Sequence, residues 1–470
     1  MFLGVDLGTS SVKAVLYDEA GRLVRDASAA YAVASPRPGW AETDPEAWWS
    51  ATVSAVRTAA EDGLRVKALG LSGQMHGVVL TNLDGSPARP AVLWADGRAT
   101  RQLAAYEAVP PTLLARLRNP VTTGMAGPTL LWLRDHEPGV YEGASLALQP
   151  KDWLRLRLTG KAHAEPSDAS GTLLYDLERD AWHDDLVAVL GLRRDLLPPL
   201  VASGERVGEL STSAARALGL SEGVQVVAGA ADTAAALLGT GLTASQVQLT
   251  VGTGAQLVVR SATLPTARRG VHVFRGADAG FYVLGAVQNA GLALEWARRA
   301  LRAEWREFYA LARSADFGSG GVIFLPYLTG DRTPHLDPHA RGGWIGAGLQ
   351  HDASHLARAA FEGVAFSIRQ ALGALAPAET HLVRLAGGGS VHPWWRQLLA
   401  DVLERPLEVV DIPDASALGA SLLARGAEAP LAKVEGIVEP RGELRLADAV
   451  ERFEAAYEHL EGWFGPRLGA

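Results

Sequence analysis

The sequence predicts an α/β protein of two lobes facing each other across a cleft. Three observations predict this. The chain has 470 residues, too many for one core when domains hold roughly 100–200 residues each. Apolar strand-like runs alternate with stretches of helical spacing along its length. A strand, a glycine turn and a returning strand open the chain, and the same pattern recurs near its middle, a weak sign of internal duplication. No long low-complexity linker separates the halves, so the lobes are expected to open and close about the cleft. The boundary is placed near Gly241, giving lobes 1–241 and 242–470.

The elements follow in order. Residues 2–7 read as a buried strand, Gly8-Thr9-Ser10-Ser11 as a turn, and 12–18 and 23–27 as returning strands. Asp44-Pro45 marks a helix start, and 44–60 carries helical spacing. Strand 66–72 runs into Gly73-Gln74-Met75-His76-Gly77, and strand 78–83 continues from it. Helices are expected at 113–118, 128–136, 151–158, 184–190 and 211–218. A strand at 225–230 then leads to a helix at 233–238. The second half repeats the opening: strand 246–251, Gly252-Thr253-Gly254, strand 255–260. Strand 382–385, the turn Gly387-Gly388-Gly389-Ser390, and helices at 393–403, 417–424 and 447–463 complete the reading.

Composition narrows the function. Hydrophobic residues make up 48% and charged residues 20%, enough for a large core and against global disorder. The net charge of −8 disfavours nucleic-acid binding, which needs clustered Lys and Arg. The pairs Arg268-Arg269 and Arg298-Arg299 are short and read as solvated faces. Without cysteine there is no disulfide, thiolate metal site or cysteine nucleophile, which fits a reducing cytoplasm. The N-terminus has no basic and apolar leader pattern, so no signal peptide is expected. Residues 223–259 carry one charge, Asp232, over a length that would suit a membrane span. Gly, Thr and Gln crowd the stretch, so buried strands with glycine turns are expected rather than a membrane helix.

Three glycine turns, each after an apolar strand, can offer backbone N–H groups to phosphate. Thr9, Ser10 and Lys13 follow the first. Gly252 and Thr253 form the second, and Gly387 and Gly388 the third. No Gly-x-x-x-x-Gly-Lys-Ser/Thr occurs, which excludes a P-loop, and the Rossmann fingerprint is missing after the first strand. Asp6 is the lone charge on its strand. A buried lone carboxylate needs a partner, a hydrogen bond or a cation. Asp232 reads either as the N-cap of the helix that follows or as a catalytic carboxylate. Phosphoryl transfer to a hydroxyl needs phosphate donors, a divalent cation and a carboxylate to take the proton. Asp232 suits the base and Asp6 the Mg²⁺ side, since Mg²⁺ keeps several waters and few protein ligands. Gln74-Met75-His76, Trp94-Ala95-Asp96-Gly97-Arg98 and Lys151-Asp152-Trp153 offer groups for sugar hydroxyls and rings for carbon faces. Taken singly, a His in such a place is more often a satisfied structural residue, and Trp94 and Trp153 more often core residues. His335 and His339 are spaced by four, but Pro334 and Pro338 argue against a zinc-binding helix.

Taken together, these residues resemble the FGGY carbohydrate kinases, within the actin–hexokinase–Hsp70-like ATPase (ribonuclease H-like) fold. Val5-Asp6-Leu7-Gly8-Thr9-Ser10 is similar to the first phosphate motif and Gly252-Thr253-Gly254 to the second. Gly229-Ala230-Ala231-Asp232 resembles the catalytic-aspartate motif. Gly73-Gln74-Met75-His76-Gly77 resembles the segment that marks the xylulokinase branch. Phe324-Leu325-Pro326-Tyr327-Leu328, Gly330-Asp331-Arg332-Thr333-Pro334, Gly387-Gly388-Gly389 and Ala417-Leu418-Gly419-Ala420 complete a likeness that spans the chain.

The resemblance implies a cytoplasmic kinase that uses Mg²⁺ and ATP to phosphorylate a ketose, with D-xylulose at its 5-hydroxyl as first choice. A ribulose or polyol kinase is the alternative, and a non-catalytic sugar or nucleotide sensor on the same scaffold is the alternative of another class. It implies Asp232 as general base, with Gln74, Met75, His76, Trp94, Asp96 and Thr233 at the sugar. Thr9, Ser10, Lys13, Gly252, Thr253, Gly387 and Gly388 would lie on the nucleotide side, with Asp6 and Asp232 holding Mg²⁺ through water. Nucleic acid and membrane are not expected partners, and a homodimer is compatible with the pattern. Thr233 and Ala95 depart from the branch pattern, which places Asn at both positions. Thr replaces one hydrogen bond of Asn and Ala neither, so sugar identity is the part these departures put in question.

Overall fold

The structure is a computed structural model that describes residues 1–61, 64–375, 380–411, 414–427, 434–442 and 446–464. The opening run forms the central strand Phe2–Leu7, with Leu3, Val5 and Leu7 fully buried. Burial on both faces is why this strand reads as a continuous apolar run. Ser11–Tyr17 returns antiparallel to it, and Leu23–Ala30 pairs outside Ser11–Tyr17 as the edge strand, alternately exposed. On its other side Phe2–Leu7 pairs parallel with Ala68–Gly73. Ala68–Gly73 in turn pairs parallel with Gln225–Val227, which carries the antiparallel Arg206–Glu209.

The second half builds the same sheet again. Gln246–Val251 takes the antiparallel Ala255–Ser261, which takes Phe281–Val287 and then Val271–Arg275. On the other side come parallel Leu382–Ala386, parallel Leu407–Val410 and antiparallel Val434–Val438. Six strands repeat in spatial order and direction between the two sheets, and Val271–Arg275 is an added edge strand of the second.

Three expected elements differ. The 113–118 helix is a short turn, Pro111–Leu114 followed by 3₁₀ Ala115–Leu117, ended by Arg118 in the left-handed region. The 78–83 strand contracts to Val79–Thr81. The 225–230 strand breaks into Gln225–Val227 and Ala230–Ala231 at Gly229, whose φ is +87°. A Cβ there would stand 2.4 Å from the Leu71 carbonyl oxygen, so only glycine permits the bend that aims Asp232.

The sequence reading also missed everything between 260 and 382, including the helix Ala353–Leu375. Its middle is buried on nearly all sides, with Arg358 and Glu362 buried among its apolar residues.

The halves meet along helices rather than a linker. Asp232–Thr240 packs on Ala415–Arg425, which lies across Phe2–Leu7 and Ala68–Gly73 at Gly4 and Gly70. Each of these contacts is glycine against backbone.

Candidate active site

Topology places the chemistry. Phe2–Leu7 and Ala230–Ala231 both run parallel to Ala68–Gly73, with Asp6 and Ala230 each opposite Ser72. Chain leaving the carboxyl ends of these three strands therefore emerges side by side, where open α/β sheets bind ligands. That places Asp6, the turn after Leu7, Gln74–His76 and Asp232 together. In the other sheet Gln246–Val251 runs parallel to Leu382–Ala386. The Gly252-Thr253-Gly254 and Gly387-Gly388-Gly389 turns leave the same end, and a Cβ on Gly387 would lie 2.3 Å from the Val251 carbonyl oxygen.

Between the halves lies a cavity of about 860 Å³. Met75, His76, Trp94, Ala95, Asp232 and Thr233 line it from the first half, and Gln256, His272, Phe274, Asp331 and Arg332 from the second.

Asp232 is the first residue of its helix, and Ala231 rather than Asp232 occupies the N-cap position. Its Oδ1 accepts from the Thr233 amide at 2.5 Å and the Thr233 hydroxyl at 3.2 Å. Its Oδ2 takes no hydrogen bond from a described residue and is left for the cavity. Burial pushes Asp232 up to about 6, and the Asp6 carboxylate adds to the shift. Asp6 accepts from Ser72 Oγ at 2.6 Å. Burial raises its pKa, while Ser72 and then Lys13 pull the other way.

His76 stands in the left-handed region at φ 71°, a conformation rare outside glycine that collects at functional sites. Its Nδ1 lies 2.6 Å from the Gly171 carbonyl oxygen, which can only accept, so Nδ1 carries the proton and Nε2 is an acceptor. Burial lowers its pKa to about 4, keeping the ring neutral. Met75 is buried against Tyr282 from the second half, whose hydroxyl lies 3.6 Å from Sδ. Trp94 is half-exposed over the cavity and donates Nε1 to Thr9 Oγ1 at 3.0 Å. One hydrogen bond thus joins the sugar-side loop to the first glycine turn.

Four expected contacts are used otherwise. Asp96 is buried away from the cavity: it accepts from the Ala41 amide at 2.6 Å and forks onto Arg98 Nε and Nη2 at 2.8 and 2.7 Å. Gln74 is also buried, its Nε2 donating to the Gly8 carbonyl at 3.3 Å and Tyr31 at 3.4 Å, so it braces the first turn. Lys13 pairs with Asp414, so its charge is already balanced. Lys151, Asp152 and Trp153 are fully buried. Lys151 bonds Asp152 at 2.6 Å and reaches Glu165 and Asp168 at 3.2 Å, inside the first half.

Among the nucleotide-side residues, Ser10, Gly252 and Thr253 are exposed, and nothing lies within 4 Å of a Cβ built on Gly388. The second turn is stapled to a helix start: Gly291 and Leu292 amides donate to the Gly252 and Thr253 carbonyls at 3.1 and 2.9 Å.

Gln256, His272, Phe274 and Arg332 were not expected at the cavity. His272 and Phe274 lie on a strand that sequence reasoning did not find. Arg332 sat in a quoted motif with no role assigned. Among the described residues no three His, Asp or Glu side chains cluster as a metal site.

Family models for the N-terminal and C-terminal domains of the FGGY family of carbohydrate kinases match residues 1–239 and 247–427. The chain belongs to the FGGY family of carbohydrate kinases. A xylulose kinase from Klebsiella pneumoniae is 37% identical over 94% of this chain and 92% of its own length. A solved structure described as a xyloylose kinase from Brucella ovis is 34% identical, with a TM-score of 0.92 over 98% of this chain and 99% of that one. A gluconate kinase from Lactobacillus acidophilus reaches a TM-score of 0.91 at 25% identity, over 98% of each chain. Solved structures named for different acceptors thus share this backbone, so the fold alone does not decide the acceptor.

Proposed function

We propose that this kinase transfers the γ-phosphoryl group of ATP to the 5-hydroxyl of D-xylulose, giving D-xylulose 5-phosphate and ADP. The observation that carries this reading is Asp232 Oδ2, left without a hydrogen bond from any described residue at the start of a helix that borders a cavity lined from both halves. The xylulose kinases among the relatives support the choice of sugar.

The acceptor hydroxyl gives its proton to the Asp232 carboxylate as its oxygen bonds to the γ-phosphorus and the bond to the β-phosphate oxygen breaks. The Thr233 amide and hydroxyl fix one carboxylate oxygen so that the other faces the substrate. His76 Nε2 accepts from a sugar hydroxyl, Met75 offers an apolar wall, and the Trp94 ring covers a carbon face. The glycine turns hold phosphate oxygens with backbone N–H groups, and closure of the halves excludes competing water.

The donor set fits a hydrated Mg²⁺. Asp6 keeps one oxygen free of hydrogen bonds from described residues, and the two aspartates lie at the same, carboxyl-terminal end of the sheet's parallel strands. Asp6 and Asp232 would hold it through water, and bound there it would offset phosphate charge.

Among the described residues no helix is long and apolar enough to cross a membrane. The cysteine-free composition supports a cytoplasmic location.

ADP release measured with MgATP across ketoses, polyols and sugar acids tests the proposal, with D-xylulose expected to give the highest kcat/KM. Folded protein with no sugar-stimulated ADP release would overturn kinase activity. A higher kcat/KM for ribulose would overturn only the sugar.

A further inference from the structure

Arg332 lines the cavity, yet it has no acidic partner among the described residues. Its backbone is pinned. Its carbonyl oxygen lies under Gly270, where a Cβ would come within 2.4 Å, and accepts the Leu336 amide at 3.0 Å. The next residue, Thr333, accepts from the Ala286 amide at 2.9 Å and donates to the Gly270 carbonyl at 2.5 Å. The guanidinium has one neighbour of note, His272, with Nη2 3.4 Å from Nε2. His272 is itself oriented. Its Nδ1 lies 3.2 Å from Asn119 Oδ1, which also accepts the Val273 amide, and its ring stacks on Phe274. Nδ1 therefore carries the proton, and the Nε2 lone pair faces Arg332.

Among the described residues no carboxylate forms an ion pair with Arg332. The adjacent Asp331 turns its Oδ2 to the His335 amide at 2.9 Å. Burial lowers the pKa of the guanidinium, and no acidic neighbour offsets that shift. Contacts run from Arg332 to His272, and through the Phe274 ring to His76, so Arg332 belongs to the His76–His272 side of the cavity. A partly buried cation with most of its donors unused is costly unless a ligand completes it. The planar fork of donors suits a carboxylate best.

We propose that Arg332, oriented by His272, is a specificity-determining residue that binds the end of the acceptor remote from the phosphorylated hydroxyl, and that it admits carboxylate-terminated sugar acids as a second acceptor class. A ketose presents carbonyl and hydroxyl oxygens to the same donors. This rests on Asp232 marking the phosphorylated end.

The test is calorimetric binding of a five-carbon aldonate and of the alditol with the same configuration, with no turnover required. The parent protein should bind the aldonate about tenfold more tightly. Arg332→Gln should bring the ratio near one, and Arg332→Lys should keep part of it, with the KM for ATP unchanged in both. ADP release with the aldonate as acceptor should be measurable in the parent protein and lost in Arg332→Gln. Equal binding of acid and alditol by the parent protein would overturn the proposal even if Arg332→Gln failed to fold. So would an Arg332→Gln that weakens both ligands alike. Failure of D-xylulose turnover alongside a preserved acid preference would count against the sugar assignment and leave the Arg332 subsite standing.

Discussion

Gly419 lies so close to Ala235 that a Cβ on it would stand 1.8 Å from the Ala235 carbonyl oxygen. This contact packs Ala415–Arg425 from the second half onto the helix that begins with Asp232. Gly239 makes the reverse contact, where a Cβ would come 2.1 Å from the Ala415 carbonyl oxygen. The base therefore stands at the head of a helix whose position the other half sets. Gly419→Val should force the helices apart at a cost of about 1–3 kcal/mol or more. The checks are thermal unfolding and kcat, and both should fall. A variant with parental Tm and kcat would show that the close approach is not required.

Asp232→Asn removes the proton acceptor and leaves the cavity shape. It should lower kcat by roughly 10²–10⁴-fold, with ATP and sugar binding by calorimetry largely retained. Unchanged kcat would remove Asp232 from the base role.

With Asp232 pushed up to about 6, kcat/KM for the sugar should fall about tenfold per pH unit below that value and level off above it, because the base works only when ionised. Stability runs the opposite way. A carboxylate with a raised folded pKa favours the fold fully below the ordinary aspartate value, and that contribution is lost as pH rises through about 6. Asp232→Asn escapes this loss. Its stability relative to the parent should rise by on the order of 2 kcal/mol between about pH 4 and 7. Denaturant unfolding at both pH values reads the difference, and a pH-independent gap would contradict it.

His76→Ala removes the neutral acceptor at the sugar. The KM for D-xylulose should rise about tenfold, the worth of one or two hydrogen bonds, with the KM for ATP unchanged. Steady-state kinetics with each substrate varied separates the two.

Lys151 holds Asp152, Glu165 and Asp168 together with no solvent access. Lys151→Met leaves three buried acids without their ammonium and should destabilise the protein by about 3–5 kcal/mol, read as a lower denaturation midpoint. Ser167 Oγ bonds Glu165 and accepts the Ala231 amide at 3.0 Å. The same network therefore supports the residue before Asp232, and kcat should fall with stability.

Local pattern was enough to locate the turns and to mark two lone aspartates. An apolar run ending in glycine states its own strand and turn, and a single charge inside it is conspicuous because burial makes charge costly. Asp6 and Asp232 stood out for that reason, as did Gly252 and Gly387. The fate of polar side chains was not legible in the same way. Lys13 meets Asp414 across 401 positions. Asp96 folds back onto Arg98, and Gln74 onto the first turn. The Asp96–Arg98 fork is local, but the Ala41 amide that holds Asp96, and the partners of Lys13 and Gln74, are brought by chain that returns from elsewhere. His272 and Arg332 reach the cavity only because the second sheet is set against the first by glycine-lined helices. The sequence by itself determined the strands that run into the glycine turns, the turns themselves and the isolated carboxylates, since these follow from local burial and backbone freedom. Tertiary structure alone decided which polar groups remain unpartnered in the cavity, since that depends on which distant residues arrive to satisfy the rest.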